Sequence, residues 1–260
     1  MRFDLGKYSA NPPDAVIEEI AQHISRDGYV AVENVISQGV VRAAAVEFEE
    51  RRLQAEREGA PLEGLKLSGK GRYMISTEID GALGDRALFA PPALLRIVRA
   101  VLGPAVILES FGVVLANGGA TQQRLHRDSP LLFDHQIGAM VPAYALTVAI
   151  PLIPLELRNG PTRVAPGSHR WLASKDDAQT EFIELGLGSL MIWDFRTFHG
   201  GGANRSRRPR PLLFETFSQQ WWRDHVNYDT YKAPRLTVSK AVLESLDEED
   251  RTIFNHLSWT

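Results

Sequence analysis

Apolar residues recur every three or four positions near both ends of the chain and in short β-rich runs through its middle, which predicts helices flanking a β-rich core. Ile17, Ile20, Ala21 and Ile24 share one helical face. Asn11 is the expected N-cap of that helix, with Pro12 in its first turn and Gly28 after its end. Tyr29-Val30-Ala31-Val32 then predicts a strand. Residues 38 to 58 predict a second helix, apolar early and charged late. Pro92 to Leu102, closed by Gly103, predicts a third, and Ser239 to Leu257 a C-terminal helical stretch.

The middle has a different texture. Short β-rich runs fall at Ala105 to Leu108, Phe111 to Leu115, Ala145 to Leu152, Leu190 to Trp193 and Leu212 to Phe217. Turn residues separate them at Gly118-Gly119, Asn159-Gly160-Pro161, Pro166-Gly167 and Gly200-Gly201-Gly202. Many short strands with such punctuation predict a mainly β fold with flanking helices, its core a double-stranded β-helix, the cupin-like jelly roll. No repeat or linker divides the chain. One domain is expected over 1–260, with N-terminal helices over about 12–103, the jelly roll over about 105–222 and a C-terminal helical segment over about 239–257.

Composition narrows the chemistry. The chain has 260 residues, enough for a substantial core, and a net charge of -3, which gives no overall footprint for nucleic acid. It has no cysteine, so disulfides, thiolate metal sites and thiol nucleophiles are excluded, and any metal is held by His and carboxylates. The N-terminus lacks the apolar stretch of a secretory signal, and no apolar run is long enough to cross a bilayer. A soluble cytoplasmic protein without membrane or nucleic-acid partners is the expectation; whether it is a monomer or a homodimer is left open.

Within Gln122 to Asp128, alternation along a strand puts His126 and Asp128 on the same face. His199 follows a second strand-like run, Leu190 to Phe195, and a jelly roll can bring the two strand ends together. Two histidines and a carboxylate on one face of a metal suit Fe(II) and leave open positions. A His-x-Asp pair alone is common by chance. Arg210 adds weight: it stands 11 residues after His199, beyond a glycine-rich reversal, where a returning strand brings its guanidinium beside the same pocket. A planar guanidinium can clamp a carboxylate with two hydrogen bonds. Its neighbours Arg205, Arg207 and Arg208 read as solvated turn charges.

These segments resemble the phytanoyl-CoA dioxygenase (PhyH) family of 2-oxoglutarate oxygenases. The resemblance runs from Arg26 to Val35, through Gln123 to Asp128 and Asn159 to His169, to His199 with its glycine turn and Arg210. It implies iron ligands at His126, Asp128 and His199, which are thereby the catalytic centre, and Arg210 on the distal carboxylate of 2-oxoglutarate. It also implies that Thr162 and Gln123 line the co-substrate pocket, although a turn hydroxyl and a structural amide are the plain alternatives. His169 competes with His199 as third ligand, and the spacing to Arg210 selects His199.

Fe(II), 2-oxoglutarate and O2 are the expected cofactor and co-substrates, with succinate and CO2 released. A carboxylate at position 128 favours hydroxylation, desaturation, epoxidation or rearrangement over halogenation. The apolar segment around His135 either covers the active site or is plain packing, and Phe133, Met140 and Tyr144 are its candidate substrate contacts. It favours a small, largely hydrophobic metabolite from specialised biosynthesis. Rival readings are an acyl-CoA hydroxylase, with phosphates on Arg205, Arg207 and Arg208, a cupin-type dioxygenase that needs no 2-oxoglutarate, and a non-catalytic jelly-roll binding or sensor module.

Overall fold

The computed structural model describes residues 1–8, 11–59, 66–67, 69–228 and 234–257. Strand β1 (Arg2–Asp4) leads to helix α1 (Asp14–Asp27), strand β2 (Tyr29–Glu33) and helix α2 (Gln38–Arg57). Strands β3 (Lys66–Leu67) and β4 (Arg72–Ser76) follow, then helices α3 (Arg86–Phe89) and α4 (Pro92–Leu102). The long strand β5 (Val106–Ala116) precedes helix α5 (Gln136–Met140) and strands β6 (Ala145–Pro151), β7 (Thr162–Val164) and β8 (Glu181–Ile183). Strands β9 (Leu190–Asp194), β10 (His199–Gly201) and β11 (Arg210–Gln219) complete the β region. Short helices α6 (His225–Tyr228), α7 (Lys240–Ser245) and α8 (Glu248–Arg251) end the chain.

The strands form an eight-stranded sheet, ordered β1-β2-β9-β6-β11-β5-β4-β3, and a three-stranded sheet, ordered β10-β7-β8. Side-chain alternation sorts the larger sheet's two faces. Leu146, Val148 and Ile150 of β6, Leu190 and Ile192 of β9, and Leu213 and Phe217 of β11 pack under the helices in the main core. Helix α4 adds Leu94, Ile97 and Val98, and α1 adds Ile17, Ile20 and Ile24 at helical spacing. The opposite faces of β6 and β9 supply Ala149, Met191 and Trp193, which pack with Val164 and Ile183 of the smaller sheet. The two sheets therefore face each other, and this is the expected jelly roll with helices on its outer side.

Several local expectations need correction. Helix α1 starts at Asp14 after Pro13, with no side-chain cap. Asn11 instead accepts a hydrogen bond from Arg96, because proline φ already presets the first turn. The two runs at 105–108 and 111–115 are one strand. Glu109 between them is a bulge: Thr216 pairs with Ser110, and Phe217 with Leu108, so Glu109 has no ladder partner. Residues 122–128 are not a strand; a single bridge joins His126 to His199. The C-terminal stretch is broken, since Asp247 caps a new helix and interrupts the old one. Among the described residues, no helix is long and apolar enough to cross a membrane.

Candidate active site

Cross-strand register arranges the cavity face of the larger sheet in rows. Arg72 and Arg210 both pair with Ala116, flanking it on either side. Met74, Val114 and Leu212 form the next row. Phe214 lies over Gly112, where an added Cβ would meet its ring at 2.9 Å. The last row is Ser110, Thr216, Thr147 and Trp193, one from each of four adjacent strands. Together with His126, Asp128 and His199, these side chains line one cavity of about 330 Å³.

His126, Asp128 and His199 each offer a ligand atom, all within 4.8 Å of one another. The backbone makes this convergence. His126 and His199 exchange backbone hydrogen bonds of 2.9 and 2.8 Å, and the Asp128 N–H donates to the Phe195 carbonyl. The imidazoles are oriented in the same way: Nδ1 of His126 lies 3.0 Å from the Arg124 carbonyl, and Nδ1 of His199 lies 3.0 Å from the Thr197 carbonyl. Each carbonyl holds the proton on Nδ1 and directs the lone pair of Nε2 toward the cluster. Oδ1 of Asp128 faces Nε2 of His199 at 3.4 Å. Oδ2 accepts from Thr147 Oγ1 at 2.9 Å and Trp193 Nε1 at 3.0 Å. One carboxylate oxygen is thus tied to the sheet and the other faces the His199 imidazole, free to serve as a ligand atom.

Two buried guanidinium groups mark another part of the cavity. Arg210 is 1% exposed and donates through Nη2 to the Gly160 carbonyl; its Nε and Nη1 have no partner. Arg72 is 0% exposed and donates through Nη2 to the carbonyls of Gly202 and Thr121; its Nε and Nη1 are likewise unpartnered. Burial pulls Arg210 down to about 9, with the charge of Arg72 adding to the effect. Burial alone pulls Arg72 down to about 10. Both values lie above neutrality, so two buried cations stand together with no carboxylate paired to them among the described residues. Leaving buried charges uncompensated is costly, which marks this end of the cavity as a receptor for a carboxylate.

The glycine-rich motifs make this geometry possible. A Cβ on Gly201 would lie 2.6 Å from Arg72 Nη1, so only glycine admits the guanidinium there. The same glycine donates its N–H to Gln123 Oε1 at 2.7 Å. Thr162, buried on β7, pairs with Gly201 and lines the cavity. The cavity therefore gathers His126, Asp128, His199, Arg210, Thr162 and Gln123.

The three anticipated substrate contacts are not in its lining. Phe133 is 48% and Met140 79% exposed, because the chain turns outward after Asp128. Tyr144 is buried instead in a small apolar cluster with Phe195 and Trp222. Trp222 packs in that cluster, whereas Trp221 is exposed. His169 is far from metal duty: its Nε2 lies 3.1 Å from the Ser25 carbonyl, and burial lowers its pKa. His135 stacks on Phe133 outside the cavity. Arg72, Thr147 and Trp193 escaped the sequence reading. Thr147 and Trp193 sit on the inward face of predicted strands, and that alternation was their available signal. The Gly71-Arg72 step carried none.

A jelly roll with helices against one sheet defines the fold class. The chain belongs to the phytanoyl-CoA dioxygenase (PhyH) family, whose model matches residues 24–212. It is similar to the dioxygenase aneA of Aspergillus aculeatus, 27% identical over 226 residues, covering 75% of this chain and 72% of that protein. It is also similar to the iron/alpha-ketoglutarate-dependent dioxygenase ausO of Aspergillus calidoustus, 36% identical over 115 residues, 38% of this chain and 37% of that one. Among solved structures, the epimerase SnoN in complex with Fe3+, alpha ketoglutarate and nogalamycin RO shares the fold. Its TM-score is 0.60 at 22% identity, covering 80% of this chain and 85% of that one.

Proposed function

We propose that this single-domain protein is a mononuclear iron, 2-oxoglutarate-dependent oxygenase of specialised metabolism. Its substrate is a small, largely apolar metabolite that it hydroxylates, desaturates, epoxidises or rearranges. One observation carries the reading: two carbonyl-oriented imidazoles and a half-tethered carboxylate share a cavity with two buried guanidinium groups that lack an anion. The donor set fits iron, since neutral imidazole and a single carboxylate oxygen form a facial triad. The paired arginines fit a diacid co-substrate.

In this reading Nε2 of His126, Oδ1 of Asp128 and Nε2 of His199 hold the metal. Arg210 takes the distal carboxylate of 2-oxoglutarate, Arg72 adds charge beside it, and Thr162 and Gln123 shape the pocket around the same molecule. Bound iron, with 2-oxoglutarate and O2, supplies the oxidising equivalents, and succinate and CO2 leave. The residues of the chain contribute orientation and exclusion of water. Thr147 and Trp193 fix the Asp128 carboxylate, while Leu212, Phe214 and Phe195 keep the cavity wall dry. Arg205, Arg207 and Arg208 are outside the cavity lining, which leaves an acyl-CoA reading without a phosphate site there.

Anaerobic addition of Fe(II) and 2-oxoglutarate tests the reading. A weak visible charge-transfer band is expected only when both are present, followed by succinate formation once O2 is admitted. Its absence, with no iron bound, would point to the non-catalytic module. Succinate-free turnover would point to the cupin-type reaction.

A further inference from the structure

The cavity has a second polar end that neither the metal cluster nor the arginines use. Ser110 closes the row Trp193–Thr147–Thr216–Ser110 on the side away from the metal ligands' tether. Three strand spacings separate Ser110 from Trp193, about 14 Å at about 4.8 Å each. Along β11, the Ser110 row is six residues from the Arg210 row, about 20 Å at about 3.3 Å per residue. Ser110 is 1% and Tyr228 6% exposed, both line the cavity, and the two hydroxyls lie near each other with no further hydrogen-bond partner among the described residues. Burial raises the Tyr228 phenol far above its ordinary range, so it stays a neutral donor.

This end is built rather than incidental. The bulged Glu109 accepts the Asp224 N–H at 3.1 Å and a hydrogen bond from Arg235 at 2.7 Å, which pins the segment that carries Tyr228. Asn227 donates through Nδ2 to the Asp128 carbonyl and to Asp224 Oδ2, both at 2.8 Å. The segment is therefore hydrogen-bonded directly to the residue that presents the metal carboxylate. Asp224 also lines the cavity. Between the Arg210 row and the Thr216 row, β11 turns Leu212 and Phe214 to the cavity, and Phe195 adds to its apolar lining.

Resting on the iron-oxygenase reading, we infer that the primary substrate is an uncharged, largely apolar molecule bearing one hydroxyl or carbonyl oxygen, and that Tyr228 and Ser110 receive that oxygen. The contact sets which C–H bond faces the metal, since the anchor and the metal ligand share the Asn227 link. Two buried hydroxyls with only each other leave hydrogen-bonding capacity unused, so a substrate that satisfies it is selected over its deoxygenated analogue.

The test uses the protein loaded anaerobically with Fe(II) and 2-oxoglutarate. The probes are matched rigid tricyclic hydrocarbons that differ only by one hydroxyl or ketone. Calorimetry or ultrafiltration should show the oxygenated member binding at least about tenfold tighter than its parent. Tyr228→Phe should remove most of that difference and Tyr228→Phe with Ser110→Ala all of it, while the parent hydrocarbon binds as before. The Fe(II)/2-oxoglutarate band in each variant reports an intact fold. Equal binding of both members by the unaltered protein, or a preference that survives in the double variant, overturns the inference. A missing band in the unaltered protein sinks the oxygenase reading instead, so the two failures are separable.

Discussion

Arg210 and Glu215 are five residues apart on β11, and each is fully buried with unpartnered polar atoms. They face opposite ways. Arg210 alternates with Leu212 and Phe214 toward the cavity, whereas Glu215 lies between Leu213 and Phe217 on the face under the helices. Arg210 has a second cation beside it and space in front of it. Glu215 has packed hydrocarbon, and burial raises its pKa well above the ordinary carboxylate range. An unpaired buried charge thus points to a ligand only where a cavity adjoins it; elsewhere the group becomes neutral.

The sharpest tests of this contrast start at the metal. His199→Ala is expected to abolish the charge-transfer band and succinate formation, while circular dichroism shows a folded protein. Arg210→Ala comes next. It should weaken 2-oxoglutarate at least about 100-fold in an equilibrium titration, because a buried charge pair loses one partner, worth about 3 kcal/mol. Arg72→Ala should cost less, about tenfold, since its Nη2 already serves two carbonyls. Undiminished affinity in both variants would break the anion-receptor half of the comparison.

Trp193→Phe and Thr147→Val act one step back from the metal. Each should lower iron affinity by about 10-fold by freeing Asp128 Oδ2, with the double variant less than additive because the two donors share one oxygen. Competition with a metal-sensitive dye reads this directly.

The smallest expected effect is on the other face. Glu215 is protonated in the fold and ionised in the unfolded chain once pH exceeds about 4.5. Native stability therefore falls as pH rises above that value, by about 1.4 kcal/mol per pH unit until the folded carboxyl itself ionises. Glu215→Met should remove this slope, so its stability relative to the unaltered protein should rise from pH 5 to pH 7 in urea denaturation and favour the variant at pH 7, with 2-oxoglutarate affinity unchanged. A Glu215→Met protein that is less stable at pH 7 would erase the distinction between the two faces.

Much of this site was legible because its signals are local. His126 and Asp128 are two apart, His199 precedes a glycine turn, and Arg210 begins a strand that returns beside it. Thr162 lies in a turn-rich motif whose Gly160 carbonyl also holds Arg210. Arg72 was hidden because its meaning depends on pairing with Ala116, 44 residues away, from the side opposite Arg210. Thr147, Trp193 and Ser110 were hidden for the same reason, since register across four strands cannot be read from any one of them, and Tyr228 stands on α6, outside that ladder. The substrate contacts misled in the other direction. An apolar run directly after Asp128 reads as cavity wall, yet Phe133 and Met140 emerge to solvent and Tyr144 packs behind Phe195.

The extra residue at Glu109 has a consequence for the whole strand. Val106 and Leu108 share even-numbered parity with Ser110 and Val114, yet the first two point under the helices and the last two into the cavity. One inserted residue reverses the phase of the strand, so the inside of the barrel begins where its oily backing would otherwise continue. Excising Glu109 would leave Leu108 opposite Phe217 and the core face intact, whereas forcing Glu109 into the ladder would turn one end of β5 inside out, carrying Val106 and Leu108 from the core into the chamber.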